Sequence, residues 1–265
     1  MVRGQWESLQ VTPRPDVYPL LARISTNYAQ MTSLRQSSEL TLTPTLSLNA
    51  FFGGAADELR PCNFDLLNRI MKASVPIVAD FCNSAFPEFA SLNREALRAL
   101  QWALFRNFLA VLFHFECGLR SIKLMREQPL RRQITVTTYL DISCYERFFT
   151  DCEPPVEVQP NVIQILRERS ESALAMKLQA TFERLQLSDM EVAAFLGLTL
   201  WPVDLPSLST RYALHLDEYA VRLGEFMSLF SNMQACTQKM REEMELFSLF
   251  DVFEKDSFVY HLLKQ

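Results

Sequence analysis

From Leu104 to Phe115 the sequence reads LFRNFLAVLFHF, apolar on almost every side of a helix. Such a helix has no face for water, so other elements must cover it all round. It is too short to cross a membrane, and Arg106, His114 and Glu116 break its apolarity. The chain is therefore expected to be layered, with this segment running through the centre. The chain has only six glycines against twenty phenylalanines. Few glycines mean few tight turns and no Gly-rich phosphate loop, so the layers are expected to be helices.

The chain punctuates itself accordingly. Residues 1–17 are irregular, with Pro13 and Pro15, and residues 18–265 read as one domain. A first helix is expected from about Leu20 to Arg35, with Leu20, Leu21, Ile24, Tyr28, Met31 and Leu34 as its stripe. The Ser-, Thr-, Gly- and Pro-rich stretch that follows is a loop. Asn63, after Pro61, caps a second helix carrying Phe64, Leu67, Ile70, Met71, Val75, Val78 and Phe81. Pro76 should kink or split it, and Pro87 should end it. A third helix is expected from Asn93, with Leu92 and Leu97 as a hydrophobic staple, through the central apolar run.

After it, RRQITVTTYLDIS is β-branched and roughly alternating, the one strand-like stretch. A helical region spans Val162 to about Leu187. Ser188 and Glu191 then make a capping box for a helix that stops at Pro202. A last long helix, or helix pair, covers about Ser209–Asp251. A short apolar helix (Phe258, Val259, Leu262, Leu263) ends the chain. Two turns are not stable alone in water, so this tail must dock.

Several functions are disfavoured. Net charge is −5, which does not suit nucleic acid or anionic membrane as partners of the whole surface. The six cysteines form no C-x-x-C pair and read as free thiols in a reducing compartment. The N-terminus shows no signal-peptide core. No G-x-S-x-G, H-E-x-x-H or P-loop occurs, and the three histidines His114, His215 and His261 form no motif with mechanics. No enzyme, cofactor or metal site is expected. The aromatic stripe Trp102, Phe105, Phe108, Leu112 and Phe115 either lines a pocket or fills a core. The acidic residues Glu242, Glu243 and Glu245 read as the outer face of a helix, and Arg131–Arg132 as a solvated turn.

The run ADFCNSAFPEFASLNREALRALQWALFRNF resembles the signature joining the third, fourth and fifth helices of nuclear hormone receptor ligand-binding domains. LQLSDMEVAAFLGLTLWPVDLPSLS resembles the eighth helix and the loop after it, and MREEMELFSLFDVFEKDSFVYHLL resembles the last long helix and the terminal activation helix. LLARISTNYAQMTSLR is similar to the first helix. The details resemble the divergent receptor set of nematodes, and the resemblance covers residues 18–263. It implies an all-α, three-layer antiparallel helical sandwich of about 9–11 helices with one small β element. It also implies a lipophilic-ligand pocket lined by Leu67, Met71, Val75, Val78, Phe105, Phe108, Leu112, Phe115, Tyr139 and Phe250. A coregulator groove for a Leu-rich helix would comprise Asn83, Phe86, Leu97, Phe258, Val259, Leu262 and Leu263. The implied role is a transcription regulator of the nucleus that forms homo- or heterodimers through the last long helix.

Departures qualify that expectation. Asn83 stands where the family has a clamp lysine, and His261 where it has the clamp glutamate. Ala96 and Leu97 replace an Asp–Gln pair. Where acid-binding members carry an arginine, this chain has Glu116, with Arg120 one turn on, which reads as an i,i+4 ion pair. No zinc-bearing DNA-binding domain is present in the sequence, so no direct nucleic-acid contact is expected from this chain. Two readings stand: a ligand-responsive regulator, or an interaction module that pairs with other receptors without ligand.

Overall fold

The computed structural model describes residues 18–42, 59–153, 155, 157–158, 160–170, 172–201 and 217–249. Helix α1, Pro19–Thr41, begins with proline at its first position, where the missing N–H is no loss. It runs six residues past Arg35, where its apolar stripe was expected to end. Its buried line is Ile24, Met31, Arg35 and Glu39, so buried ions continue a stripe that apolar residues begin. Leu20 and Leu34, expected on that stripe, are half exposed.

Strand β1, Arg60–Pro61, had no signal in the sequence. Its proline is tolerated because the ladder uses the N–H groups on either side: Arg60 N donates to Thr137 O and Cys62 N to Tyr139 O. Helix α2, Phe64–Ala85, starts as expected, with Asn63 Oδ1 accepting from Leu66 N at 2.8 Å. Pro76 does not split it. Pro76 and Lys72, whose carbonyl it leaves unbonded, both face water. Phe86 and Pro87 end α2, and Pro87–Ala90 forms the single turn α3.

The next helix does not begin at Asn93. Glu95–Leu97 is a 3₁₀ turn, and α4 runs Arg98–Glu127. Leu92 packs against the core while Leu97 is 37% exposed, so no staple forms between them. Strands β2, Arg131–Gln133, and β3, Thr138–Asp141, form an antiparallel pair with Arg132 opposite Leu140. β1 adds to β3 in parallel, giving a three-stranded sheet in the order β1-β3-β2. Arg131 is paired with Asp141 and lies 4.3 Å over the Tyr139 ring, so this pair of arginines belongs to the sheet rather than to a turn.

Helix α5 is Tyr145–Thr150, after a 3₁₀ turn. The expected single helical region after it is two helices: α6, Pro160–Ser170, and α7, Ala173–Leu185. Ser172 separates them by capping α7, its Oγ accepting from Ala175 N. Helix α8, Asp189–Leu200, opens on the complete Ser188–Glu191 capping box. Helix α9 is Asp217–Leu249.

The described helices make three layers. α1 and α2 pack together on one side, and α7 and α9 on the other. Between them α4 lies against α2, α7, α8 and α9, and α8 also meets α1. The central rod is buried as its composition demanded: Phe108, Leu109, Leu112 and Phe115 have no exposed surface. Trp102, at its start, is 54% exposed and lies outside the stripe it was expected to extend.

Candidate functional site

The apolar interior of the described residues is divided. The main cluster joins α1, α2, α4, α7, α8 and α9, and contains Met71, Val78, Phe105, Phe108, Leu112 and Phe115, with Leu67 and Val75 packed at its edge. A second cluster is built on α5 and α6 from Tyr145, Phe149 and Ile163, with Phe64, Leu140 and Leu166 around it. Leu67 also borders a small third cluster of Cys62, Leu66 and Ile70. Tyr139 sits on β3, under Arg131. Eight of the ten expected pocket residues thus lie together along α2 and α4. Phe250 lies outside the described residues.

Two of these residues are already packed by other rings. Phe108 stacks on Phe81 at 5.9 Å, and Phe115 stacks on Phe195 at 4.0 Å and meets Phe182 at 5.7 Å. They fill the core rather than face open space. The expected pocket residues therefore split by position: Met71, Val78, Phe105, Phe108, Leu112 and Phe115 are buried in the main cluster, while Leu67 and Val75 stand at its edge.

Polar side chains link α6 to α4 and α9. α6 packs chiefly on α5 and α7 and reaches α4 through a long side chain: Arg169 Nη2 lies 3.1 Å from His114 Nε2. Its Nη1 lies 3.2 Å from Glu243 Oε2 of α9. His114 Nδ1 lies 2.9 Å from Ala110 O, so the ring donates there and accepts from Arg169. Burial, then the Arg169 charge, lowers its pKa to about 4, which keeps it neutral. Arg241 of α9 donates to Asn107 Oδ1 at 3.2 Å. Burial and the nearby Arg106 charge hold Arg241 below the usual guanidinium range. Burial raises Glu243, against the pull of Arg169. Glu243 is thus an inner residue, not part of an outer acidic face. Nothing local announced these pairs, because their members stand far apart in the chain.

A second polar group fastens α1 to α4. Glu116 accepts from Arg35 Nη1 at 2.6 Å, from Tyr28 Oη at 3.0 Å and from Arg120 Nη2 at 3.2 Å. The expected Glu116–Arg120 pair is present, and Arg35 is the stronger partner that sequence spacing could not reveal. Burial opposes the Glu116 charge, but Arg35 and then Arg120 outweigh it and hold the carboxyl below its ordinary range. Arg35 also lies 5.0 Å over the Phe113 ring. One turn further along α1, Glu39 accepts from the backbone N–H of Val136 and Thr137 and from the hydroxyls of Thr135 and Thr137, tying the β2–β3 turn to the helix.

Of the expected groove residues, Phe86 is buried, Asn83 is exposed, and Leu97 is exposed beside Leu100 and Trp102. Phe258, Val259, Leu262 and Leu263 lie outside the described residues. The six cysteines are unpaired. Burial raises the Cys62 thiol to about 12 and pushes Cys82 up as well. Among the described residues no three His, Cys, Asp or Glu side chains stand where they could hold a metal ion, and no helix is long and apolar enough to cross a membrane.

Comparison with known proteins places this geometry. The family model for the ligand-binding domain of nuclear hormone receptors matches residues 55–250. The chain is similar to the High zinc activated nuclear receptor protein of Caenorhabditis elegans, 24% identical over 261 residues. The match covers 89% of this chain and 62% of that relative, so the chain spans less than two thirds of the relative's length.

Proposed function

The chain belongs to the family of nuclear hormone receptor ligand-binding domains, and from that premise we propose that it senses a small lipophilic ligand and recruits a coregulator through its C-terminal segment. The family is one of transcription regulators and not of enzymes. The observation that carries the ligand reading is the division of the apolar interior. A domain ordinarily has one contiguous core with smaller satellite clusters beside it. Here two apolar clusters stand apart, with half-buried polar side chains of α4, α6 and α9 nearby. An apolar site with a few convergent polar groups is the ordinary form of a small-molecule pocket.

The coregulator reading rests on the terminal stripe of Phe258, Val259, Leu262 and Leu263, with Phe86 and Leu97 as neighbours in the expected groove. Asn83 and His261 replace the clamp charges, so the apolar contacts would carry the recognition of a Leu-rich helix. The domain, residues 18–265, would act in the nucleus as a homo- or heterodimer.

A second reading is favoured by the packing of Phe108 and Phe115 against other rings. In it the fold is an interaction module that pairs with receptors and binds no ligand. Native mass spectrometry of the purified chain separates the two: a co-purifying lipid supports the sensor, and a ligand-free dimer supports the module. In a fusion to a foreign DNA-binding domain, Leu262→Asp should abolish the reporter response and leave thermal unfolding unchanged. Undiminished output would sink the coregulator reading. The relative's name records activation by high zinc, so a zinc titration of the same reporter is the arm that would redirect the ligand class.

A further inference from the structure

We propose that α6 is a flap, hinged along α5 and latched to the body of the domain by Arg169. The two edges of this helix differ in chemistry. Toward α5 it is apolar: Ile163 clusters with Tyr145 and Phe149, and Leu166 packs against them. Arg167 adds a surface ion pair with Glu146 at 3.3 Å. α5 is in turn fixed to α2, where the Phe64 ring lies 5.9 Å from that of Phe149 and Asn63 Nδ2 donates to Asp151 O at 2.7 Å. Toward α4 and α9 the contact of α6 is polar. Arg169 touches both helices at once, with Nη2 3.1 Å from His114 Nε2 and Nη1 3.2 Å from Glu243 Oε2. Among the described residues, the α5–α6 cluster and the main cluster share no member. Val162 is fully buried, yet the apolar neighbours described for it are Val158, Ile165 and Leu166, from its own stretch of chain.

The two edges respond differently to water. Parting α6 from α5 would expose Tyr145, Phe149 and Ile163 and lose their apolar burial. Parting it from α4 and α9 releases a guanidinium and a carboxylate together, and both regain hydration. A desolvated ion pair recovers in attraction little more than it lost in hydration, so separating it as a pair costs far less than removing one partner. Burial holds Glu243 above the usual carboxylate range in spite of Arg169, so the latch closes against a desolvation cost. Ser172 supplies a pivot at the far end of α6. It caps α7 through its Oγ, which accepts from Ala175 N, so α7 keeps its first turn when α6 moves. The Arg169 charge also reaches Cys117, one turn after His114 on α4. Lifting α6 takes Arg169 off this side of α4 and opens a path between the two clusters. Such a flap operates whether the domain is a ligand sensor or an interaction module.

The test measures access to Cys117 in the whole chain with N-ethylmaleimide, a neutral thiol reagent, and locates the labelled peptides by mass spectrometry. Cys82, fully buried in the main cluster, is the internal control. In the natural chain Cys117 should label far more slowly than in the same chain unfolded in urea. Arg169→Gln should raise its rate at least about ten-fold, the scale of one hydrogen bond to a charged group, and leave the Cys82 rate unchanged. The direction of the change discriminates. Burial raises the Cys117 thiol, while a Ser121 hydrogen bond and the Arg169 charge lower it. Removing that charge without any movement would therefore slow the reaction. Glu243→Gln, which leaves Arg169 on His114, should give a smaller rise. An unchanged or slower Cys117 rate in Arg169→Gln would mean that α6 stays closed without its latch. Equal acceleration of Cys117 and Cys82 would mean that Arg169 supports the whole fold and holds no flap. Labelling of Cys117 in the natural chain as fast as in urea would mean that no latch exists. Each of these three outcomes overturns the proposal.

Discussion

Arg35 Nη1 lies 2.6 Å from Glu116 Oε2, and neither side chain is more than 2% exposed. This pair, with the Tyr28–Glu116 hydrogen bond beside it, binds the outer helix α1 to the central helix α4. Removing one partner leaves the other charged in a dry site. Arg35→Met is expected to destabilise the fold by about 3–5 kcal/mol. The double replacement Arg35→Met with Glu116→Leu should be milder than the sum of the two single changes, because neither member of the pair is left charged and buried; Arg120, the other ion-pair partner of Glu116, keeps 16% of its side-chain surface toward water. Urea midpoints of the four proteins give the comparison. Simple additivity would mean that the contact contributes nothing of its own.

His114 gives the fold a pH dependence on the acid side. Its pKa in the fold, about 4, is depressed from 6.5, first by burial and then by the Arg169 charge. The unfolded chain therefore binds a proton here before the folded chain does. Stability is full above about pH 6.5 and drains away as pH falls toward 4, by at most about 3 kcal/mol. His114→Gln keeps an acceptor for Arg169 and a donor for Ala110 O but does not titrate. Between pH 7 and pH 4.5 the natural protein should lose about 2 kcal/mol more than the variant. Equal losses in denaturant titrations would show that some other group dominates.

What the sequence made legible follows from what it encodes locally. The central rod, the Asn63 cap, the Ser188–Glu191 box and the stop at Pro87 each lie within a few residues, and each stands in the fold. The misjudged features need distant partners. α1 was expected to end at Arg35 because polar residues follow. Yet Arg35 and Glu39 are buried, one by Glu116 and the other by the β2–β3 turn. Glu243 looked like surface until Arg169, on another helix, reached it. Arg60–Pro61 has no strand character of its own and becomes one by pairing with β3. The clustering of the apolar residues of α2 and α4 was readable from helical spacing, and the arginines that reach α4 from α6 and α9 were not.

Gly118 lies where α4 meets α7. A Cβ there would press into the Phe182 ring, with Cε2 well inside contact distance and the next two ring carbons at 3.0 Å. Phe182 is fully buried and itself meets Phe115, so the ring has little room to yield. Alanine normally favours a helix interior over glycine by about 1 kcal/mol. Here Gly118→Ala should destabilise instead, by about 1–3 kcal/mol. Pairing it with Phe182→Leu should restore part of the loss. A thermal midpoint that rises in the single variant would contradict the packing described.

Glu191 performs two tasks with one carboxylate. It accepts from the Ser188 N–H at 2.9 Å, closing the capping box of α8, and from Arg222 of α9 at 2.7 and 2.8 Å. The Arg222 bond, then burial and the Glu191 charge, act on the arginine with a net upward shift. Glutamine at this position retains an oxygen for the cap and loses the ion pair. Since Arg222 is 45% exposed, solvent screening limits that loss, and Glu191→Gln should reduce stability by about 0.5 kcal/mol. Glu191→Ala loses both tasks and should cost about 1–2 kcal/mol, near the effect of removing a helix cap plus a surface pair. Salt provides the internal check. Raising ionic strength should shrink the Glu191→Gln difference and leave the further step to alanine unchanged, because only the first is a charge–charge interaction. If salt instead erased the alanine step, the capping bond would not be what Glu191 supplies to α8.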